Sequence, residues 1–191
     1  MYQVLRDDRV IAYLKVAAGL REERDRLEWL DGRLPVPKVL SHGSCEQTEW
    51  LLTTPLPGLD LTNLKHTEHP NRITTLLADA LRTIHATPSK GFPFGKPSSG
   101  AVLTHGDACL PNFLFLDGEL TGVVDLGDCG LKDRALDLAT AVWSVQYNLG
   151  AGHAQAFLDS YGIDLEAESL QLALNEDGIE ALRRVDESGT V

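Results

Sequence analysis

"LTHGDACLPNFLF", residues 103–115, sets His105, Gly106 and Asp107 between apolar runs and follows them, five residues after Asp107, with Asn112. The flanks "AVL" and "FLFL" read as short buried strands. The polar middle, with its Gly and Pro, reads as a loop held between them. An Asp and an Asn on one tight loop serve equally well as turn residues bonding local backbone or as two oxygen ligands presented toward one point. The loop alone leaves both readings open.

Its C-terminal neighbour narrows the choice. "NFLFLDGELTGVVDLG" predicts a hairpin turning at Asp117-Gly118. The hairpin delivers Asp125 from an apolar strand into a turn that contains Gly127 and Gly130. A carboxylate leaving a strand in this way is suited to a hard cation. Asp107, Asn112 five residues on and Asp125 thirteen further match the H-x-D-x-x-x-x-N and D-x-G logic of phosphoryl-transfer sites. In that logic the first Asp orients the attacking hydroxyl, and the Asn and second Asp hold Mg²⁺ against nucleotide phosphates.

Upstream, Lys15 ends the apolar run "IAYLK" and Glu23 lies on the next segment, "GLREERDRLEWL", whose Leu20, Leu27 and Leu30 give it one apolar helical face. A lysine that reaches phosphates is steadied by a helix glutamate. Alone, the pair reads as an edge-strand lysine and one of several solvated acids. Together with the downstream residues, in this order, it reads as part of the same site.

The rest of the chain supplies the frame. "YQVL" and "VIAYLKV" around "RDDR" predict a hairpin, "LPVPKVL" an extended segment broken by prolines, and "TEWLLTT" a strand. "PLPG", residues 55–58, is a hinge and the expected boundary between lobes spanning 1–58 and 59–191. Beyond it, Ile73, Leu76, Leu77, Ala80, Leu81 and Ile84 have helical spacing, and "DRALDLATAVWSVQYNL" and "GHAQAFLDSYG" predict two more helices. Strands before helices indicate an α+β fold with a sheet-rich first lobe and a helical second one.

The 191 residues fit one domain or two small lobes sharing a core. A net charge of −11 disfavours a nucleic-acid or anionic-membrane partner, both of which call for a basic surface. Three widely spaced cysteines, Cys45, Cys109 and Cys129, indicate neither a disulfide framework nor a zinc site. The charges at positions 6–9 are unlike a signal peptide, and no apolar run reaches the length of a membrane span. The expectation is an intracellular, cytoplasmic protein.

"AYLKVA", "ERDRLEWLDGRLPVPKVL", "LLTTPLPG", "HGDACLPN" and "GVVDLGDCGLKDRALDLATAV" together resemble the aminoglycoside 3′-phosphotransferases, in order from about residue 2 to residue 163. The resemblance implies a protein-kinase-like bilobal fold. It also implies transfer of the γ-phosphate of ATP to an aminoglycoside hydroxyl, with antibiotic resistance by inactivation. Carried over, Asp107 is the catalytic base, Asn112 and Asp125 are the magnesium ligands, and Lys15 with Glu23 is the phosphate-positioning pair. Tyr13 corresponds to the aromatic stacked on adenine, and Thr54 and Leu56 offer backbone C=O and N–H to its edge. His105 buttresses the catalytic loop and Asp137 ties it to a helix. The acidic charge then suits a polycationic substrate.

The resemblance also marks departures. The chain begins inside the counterpart of the family's second strand, leaving the N-lobe truncated, with no counterpart of the first strand or the loop over the phosphates. The connection between "IHATP" and "LTHGD" is shorter than the family's, which carries helices of the antibiotic pocket there. Asp128 stands where the family has Arg. The final segment offers Glu176, Asp177 and Glu180 without the family's aromatic residue. Two alternatives to an active aminoglycoside kinase therefore stand: a weak or inactive remnant serving at most as a binding module, and a kinase for another small alcohol.

Overall fold

The computed structural model describes residues 1–45, 48–96, 98–150 and 152–163. Glu176, Asp177 and Glu180 lie outside the described residues. The chain opens with strand β1 (Tyr2–Arg6) folded back on β2 (Arg9–Ala17). Asp7 and Asp8 between them take φ of 50° and 61°. Positive φ at both central residues is what a two-residue hairpin requires, and a short polar side chain tolerates it.

Helix α1 (Leu20–Leu30) follows and buries the expected Leu20, Leu27 and Leu30, together with Glu23 and Arg26. After the prolines come β3 (Val39–Cys45) and β4 (Thr48–Thr53), completing an antiparallel sheet in the order β1-β2-β4-β3. Of "LPVPKVL", Val39 and Leu40 are the first residues of β3. The strand itself runs on through Ser41, His42 and Gly43, residues without strand preference that pair with β4. Gly43 is needed there, because a Cβ would lie 2.7 Å from the Trp50 ring.

Thr54 closes this sheet: its N–H donates to Lys38 O and its Oγ1 accepts from Lys38 N–H, each at 2.9 Å. The chain then passes through β5 (Leu59–Asp60), α2 (Leu61–Leu64) and α3 (Pro70–Ala86). Asp60 caps α2 by accepting the N–H groups of Thr62 and Asn63. Pro70 opens α3, where a missing N–H costs nothing. All six apolar residues predicted for the inner face of α3 are buried.

β6 (Val102–Thr104), a 3-10 turn (Leu110–Asn112), β7 (Phe113–Leu116), β8 (Glu119–Val123) and β9 (Gly130–Lys132) lead into α4 (Arg134–Leu149) and α5 (His153–Tyr161). β7 and β8 form the expected hairpin, with Asp117 and Gly118 at φ of 52° and 84°. β5 adds to their edge, while β9 pairs with β6 in a separate ladder. One contiguous apolar core runs from α1 through α3 and the β7–β8 hairpin to Phe157 on α5. Among the described residues, no helix is long and apolar enough to cross a membrane.

Candidate active site

The β6–β9 ladder fixes where the "HGD" loop begins. Thr104, at the end of β6, donates its hydroxyl to Gly130 O at 2.9 Å. His105 follows and is fully buried. Its Nε2 lies 3.0 Å from Val124 O and its Nδ1 3.2 Å from Asp107 N. A carbonyl only accepts and an amide N–H only donates, so the ring is neutral with its proton on Nε2. Burial pushes the imidazole below its usual pKa despite the nearby carboxylates of Asp137 and Asp107, in keeping with that state.

Gly106 adopts a φ of 89°, and a Cβ there would sit 2.3 Å from Asp128 O. Only glycine lets this loop and the turn after Asp125 approach so closely. Beneath the loop lies Asp137 of α4, 1% exposed. Its Oδ2 accepts the His105 N–H at 2.7 Å and its Oδ1 the Gly106 N–H at 2.9 Å. Ser144, two turns along the same helix, accepts the Leu110 N–H at 3.0 Å. α4 therefore holds both ends of the loop.

Asp107 and Asn112 are joined directly. Asn112 Nδ2 donates to Asp107 O at 2.9 Å and to Asp107 Oδ2 at 3.1 Å. With the amide nitrogen so engaged, its oxygen is the atom left to face a ligand. Asn112 O in turn accepts the Val124 N–H at 3.0 Å, which sets the register between this turn and Asp125. Asp125 takes a φ of 58°.

Lys15 arrives from the opposite sheet. Its ammonium donates to Glu23 Oε1 at 3.0 Å, to Glu23 Oε2 at 2.8 Å and to Asp125 Oδ1 at 2.9 Å, using all three protons. Burial lowers the lysine pKa, but the bonds and charges of Glu23 and Asp125 outweigh it and the net shift is upward.

Tyr13 and Lys15 alternate along β2, opposite Thr53 and Leu51 of β4, so all four share one face of the sheet. That face closes one side of a cavity of about 370 Å³. Glu23, Thr54, Leu56 and Asp125 line it too, with Leu27, Val124 and Leu114 among its apolar walls. Six of the eight residues that the sequence puts forward for catalysis, nucleotide or metal binding thus border one cavity. The other two, Asp107 and Asn112, form their own pair beside it, Pro111 of the same turn contributing to the wall.

Several supporting groups escaped the sequence reading, Arg26 and His85 among them. Arg26 is buried, donating Nε–H to Cys129 O at 2.8 Å with its guanidinium 4.0 Å above the Phe94 ring. It holds the turn after Asp125 onto α1. His85 of α3 bonds Asp137 Oδ2 through Nε2 at 3.1 Å. A histidine directly after Ile84, at the end of the apolar face of α3, was the available signal.

The sequence model of the phosphotransferase enzyme family matches residues 4–101 and 95–171. Among curated relatives, the aminoglycoside 3′-phosphotransferase of Niallia circulans is 29% identical, the alignment covering 92% of this chain and 83% of that protein. That alignment runs over 226 positions, more than the 191 residues present, so the relative carries residues without a counterpart here. The streptomycin 3″-kinase of Streptomyces griseus is 26% identical, over 84% and 80% of the two chains. Among solved structures, the aminoglycoside phosphotransferase APH(3″)-Id of Streptomyces rimosus, in complex with ADP and streptomycin, superposes with a TM-score of 0.72 at 22% identity, over 91% and 87% of the chains. An aminoglycoside-3′-phosphotransferase of type VIII gives 0.71 at 24% identity, over 85% and 82%. The fold is therefore the protein-kinase-like α+β fold, as the sequence resemblance implied.

Proposed function

Because this chain belongs to the phosphotransferase enzyme family, we propose that it transfers the γ-phosphate of ATP to the 3′-hydroxyl of an aminoglycoside, inactivating the antibiotic and conferring resistance. The observation that carries the reading is the convergence of Lys15, Glu23 and Asp125 on one cavity, beside the Asp107–Asn112 pair. Residues 1–58 act as the nucleotide-binding lobe and 59–191 as the lobe with the catalytic loop and metal site. As a consumer of cellular ATP the enzyme works in the cytoplasm.

In this reading adenine enters the apolar part of the cavity. Tyr13 stacks on the base, and Thr54 C=O and Leu56 N–H bond its edge. Pro55 between them has no N–H to contribute, which costs nothing when only the flanking groups bind. Lys15 turns one ammonium proton from Asp125 to a phosphate oxygen while Glu23 keeps the other two. Asp107, steadied by Asn112, accepts the proton of the acceptor hydroxyl and points that oxygen at the γ-phosphorus. Positioning and electrostatic stabilisation of this kind supply most of the acceleration in phosphoryl transfer.

The donor set suits Mg²⁺. Among the described residues no group of three or more His, Cys, Asp or Glu could hold a metal. Asn112 and Asp125 offer two hard oxygen donors, and magnesium completes such a set with phosphate oxygens and water. When bound, the ion neutralises charge on the phosphates. The net charge of −11 favours approach of a polycationic acceptor, while the substrate has no need of nucleic-acid or membrane contacts.

The test is Mg²⁺-dependent release of ADP from ATP with kanamycin present and absent. Kanamycin-stimulated release supports the reading. ATP consumption indifferent to kanamycin points to another alcohol as acceptor. A folded protein that neither binds Mg-ATP nor releases ADP overturns it.

A further inference from the structure

Asp137 is the foundation of the catalytic loop, and its Oδ2 carries two bonds, one from the His105 N–H and one from His85 Nε2. A carboxylate only accepts, so His85 must carry a proton on Nε2 for that contact to be favourable. The partner of the opposite ring nitrogen bears on this, because a hydroxyl that donates to Nδ1 leaves Nε2 as the protonated atom. His85 Nδ1 lies 2.8 Å from the hydroxyl of Tyr161, at the end of α5. Burial raises the Tyr161 phenol above its ordinary pKa, Arg134 and Arg82 opposing the shift, so the hydroxyl keeps its proton at neutral pH.

We propose that Tyr161 is a positioning residue for phosphotransfer. Its hydroxyl donates to His85 Nδ1 and so fixes the Nε2–H tautomer, which clamps Asp137 beneath the His105–Gly106 peptide and thereby aims Asp107. The link joins α5, α3, α4 and the loop in one line of hydrogen bonds. Without the hydroxyl as donor, a His85 ring that carries one proton can place it on Nδ1. The lone pair then left on Nε2 would face a carboxylate oxygen, weakening the hold on Asp137 that keeps two loop amides in place. This inference rests on the phosphotransferase reading for its kinetic consequence, but not for the tautomer itself.

The experiment compares the full chain with Tyr161→Phe. Phenylalanine keeps the ring that packs edge-on to His85 at 5.8 Å and lies 6.5 Å from Phe157, so only the hydroxyl is lost. Nitrogen-15 spectra of the histidine rings report the tautomer directly, and hydrogen exchange reports the amides of His105 and Gly106. The expected result is a pure Nε2–H tautomer at His85 in the unaltered protein and a mixture in the variant, with faster exchange at both amides. With kanamycin and ATP, kcat falls about 10-fold while the KM for ATP stays within about twofold.

Adding Tyr161→Phe to His85→Gln should cost nothing further, since the hydroxyl acts through the ring. Arg134→Gln, which removes a side chain that bonds the Tyr161 hydroxyl without touching His85, should leave tautomer and kcat unchanged. An unchanged tautomer and unchanged amide exchange in Tyr161→Phe would overturn the proposal, whatever the activity. So would multiplying effects in the double variant. A chain that shifts tautomer as expected but never phosphorylates, even unaltered, would overturn the kinase reading and the kinetic role while leaving the His85 link standing.

Discussion

Lys15 and Asp125 meet at 2.9 Å although 110 residues separate them, and Glu23 takes the two remaining protons of the same ammonium. This contact joins the first sheet to the turn after β8, and both residues line the cavity. Lys15 holds its proton more tightly folded than unfolded, because the two carboxylates outweigh its desolvation. The stabilisation is therefore complete below the ordinary lysine value of 10.5 and is lost as pH rises through the higher folded value. Urea midpoints of the protein and of Lys15→Met should differ by a constant amount at neutral pH and converge above about pH 10.5.

His105 gives the opposite dependence. Its folded pKa lies below the ordinary 6.5, so the unfolded chain takes up a proton first as pH falls. Stability conferred by the neutral ring is present above 6.5 and declines below it, at up to about 1.4 kcal/mol per pH unit for one proton. Chemical denaturation at pH 7.5 and 5.5 should show a larger acid loss in the protein than in His105→Asn, the difference isolating this residue.

Gly106→Ala should cost stability and activity together. The left-handed backbone alone carries roughly 1–2 kcal/mol for a residue with a Cβ. The 2.3 Å approach to Asp128 O adds a clash against backbone that cannot rotate away. A lower denaturation midpoint with a reduced kcat is expected, and Gly100→Ala serves as a comparison because no atom lies within 4 Å of its added Cβ.

The sequence made some of this legible for definite reasons. Asp107, Asn112 and Asp125 stand out as polar residues bracketed by apolar strands at a spacing that phosphoryl-transfer chemistry uses. The Asp7-Asp8 and Asp117-Gly118 turns announce their hairpins, and the leucine pattern of α1 announces its buried face. Other parts are written only in the tertiary structure. β3 and β9 are strands because a neighbour pairs with them, not because Ser41, His42 or Gly130 favours extension. Arg26 reads as one charge on an exposed helix face until Phe94 and Cys129 O cover it. His85 reaches Asp137 across 52 residues and Tyr161 across 76, separations that no local pattern signals.

Thiol chemistry offers a separate check on the loop's environment. Burial, reinforced at Cys109 by Asp107 and at Cys129 by Asp137, pushes both thiols up to about 12. Cys45 is exposed. The thiolate is the reactive form, so iodoacetamide at pH 8 should alkylate Cys45 in the folded protein and leave Cys109 and Cys129 for reaction only after denaturation. Peptide mass mapping reads the outcome.

The most direct test of the account is the product itself. Kanamycin incubated with ATP, Mg²⁺ and the full chain should gain the mass of one phosphate, with NMR placing it at the 3′-oxygen. Asp107→Ala should still bind Mg-ATP but form product about 10²–10⁴-fold more slowly, the range expected when a positioned base is lost. Unmodified kanamycin from a folded protein, or product formed equally fast by Asp107→Ala, would contradict it.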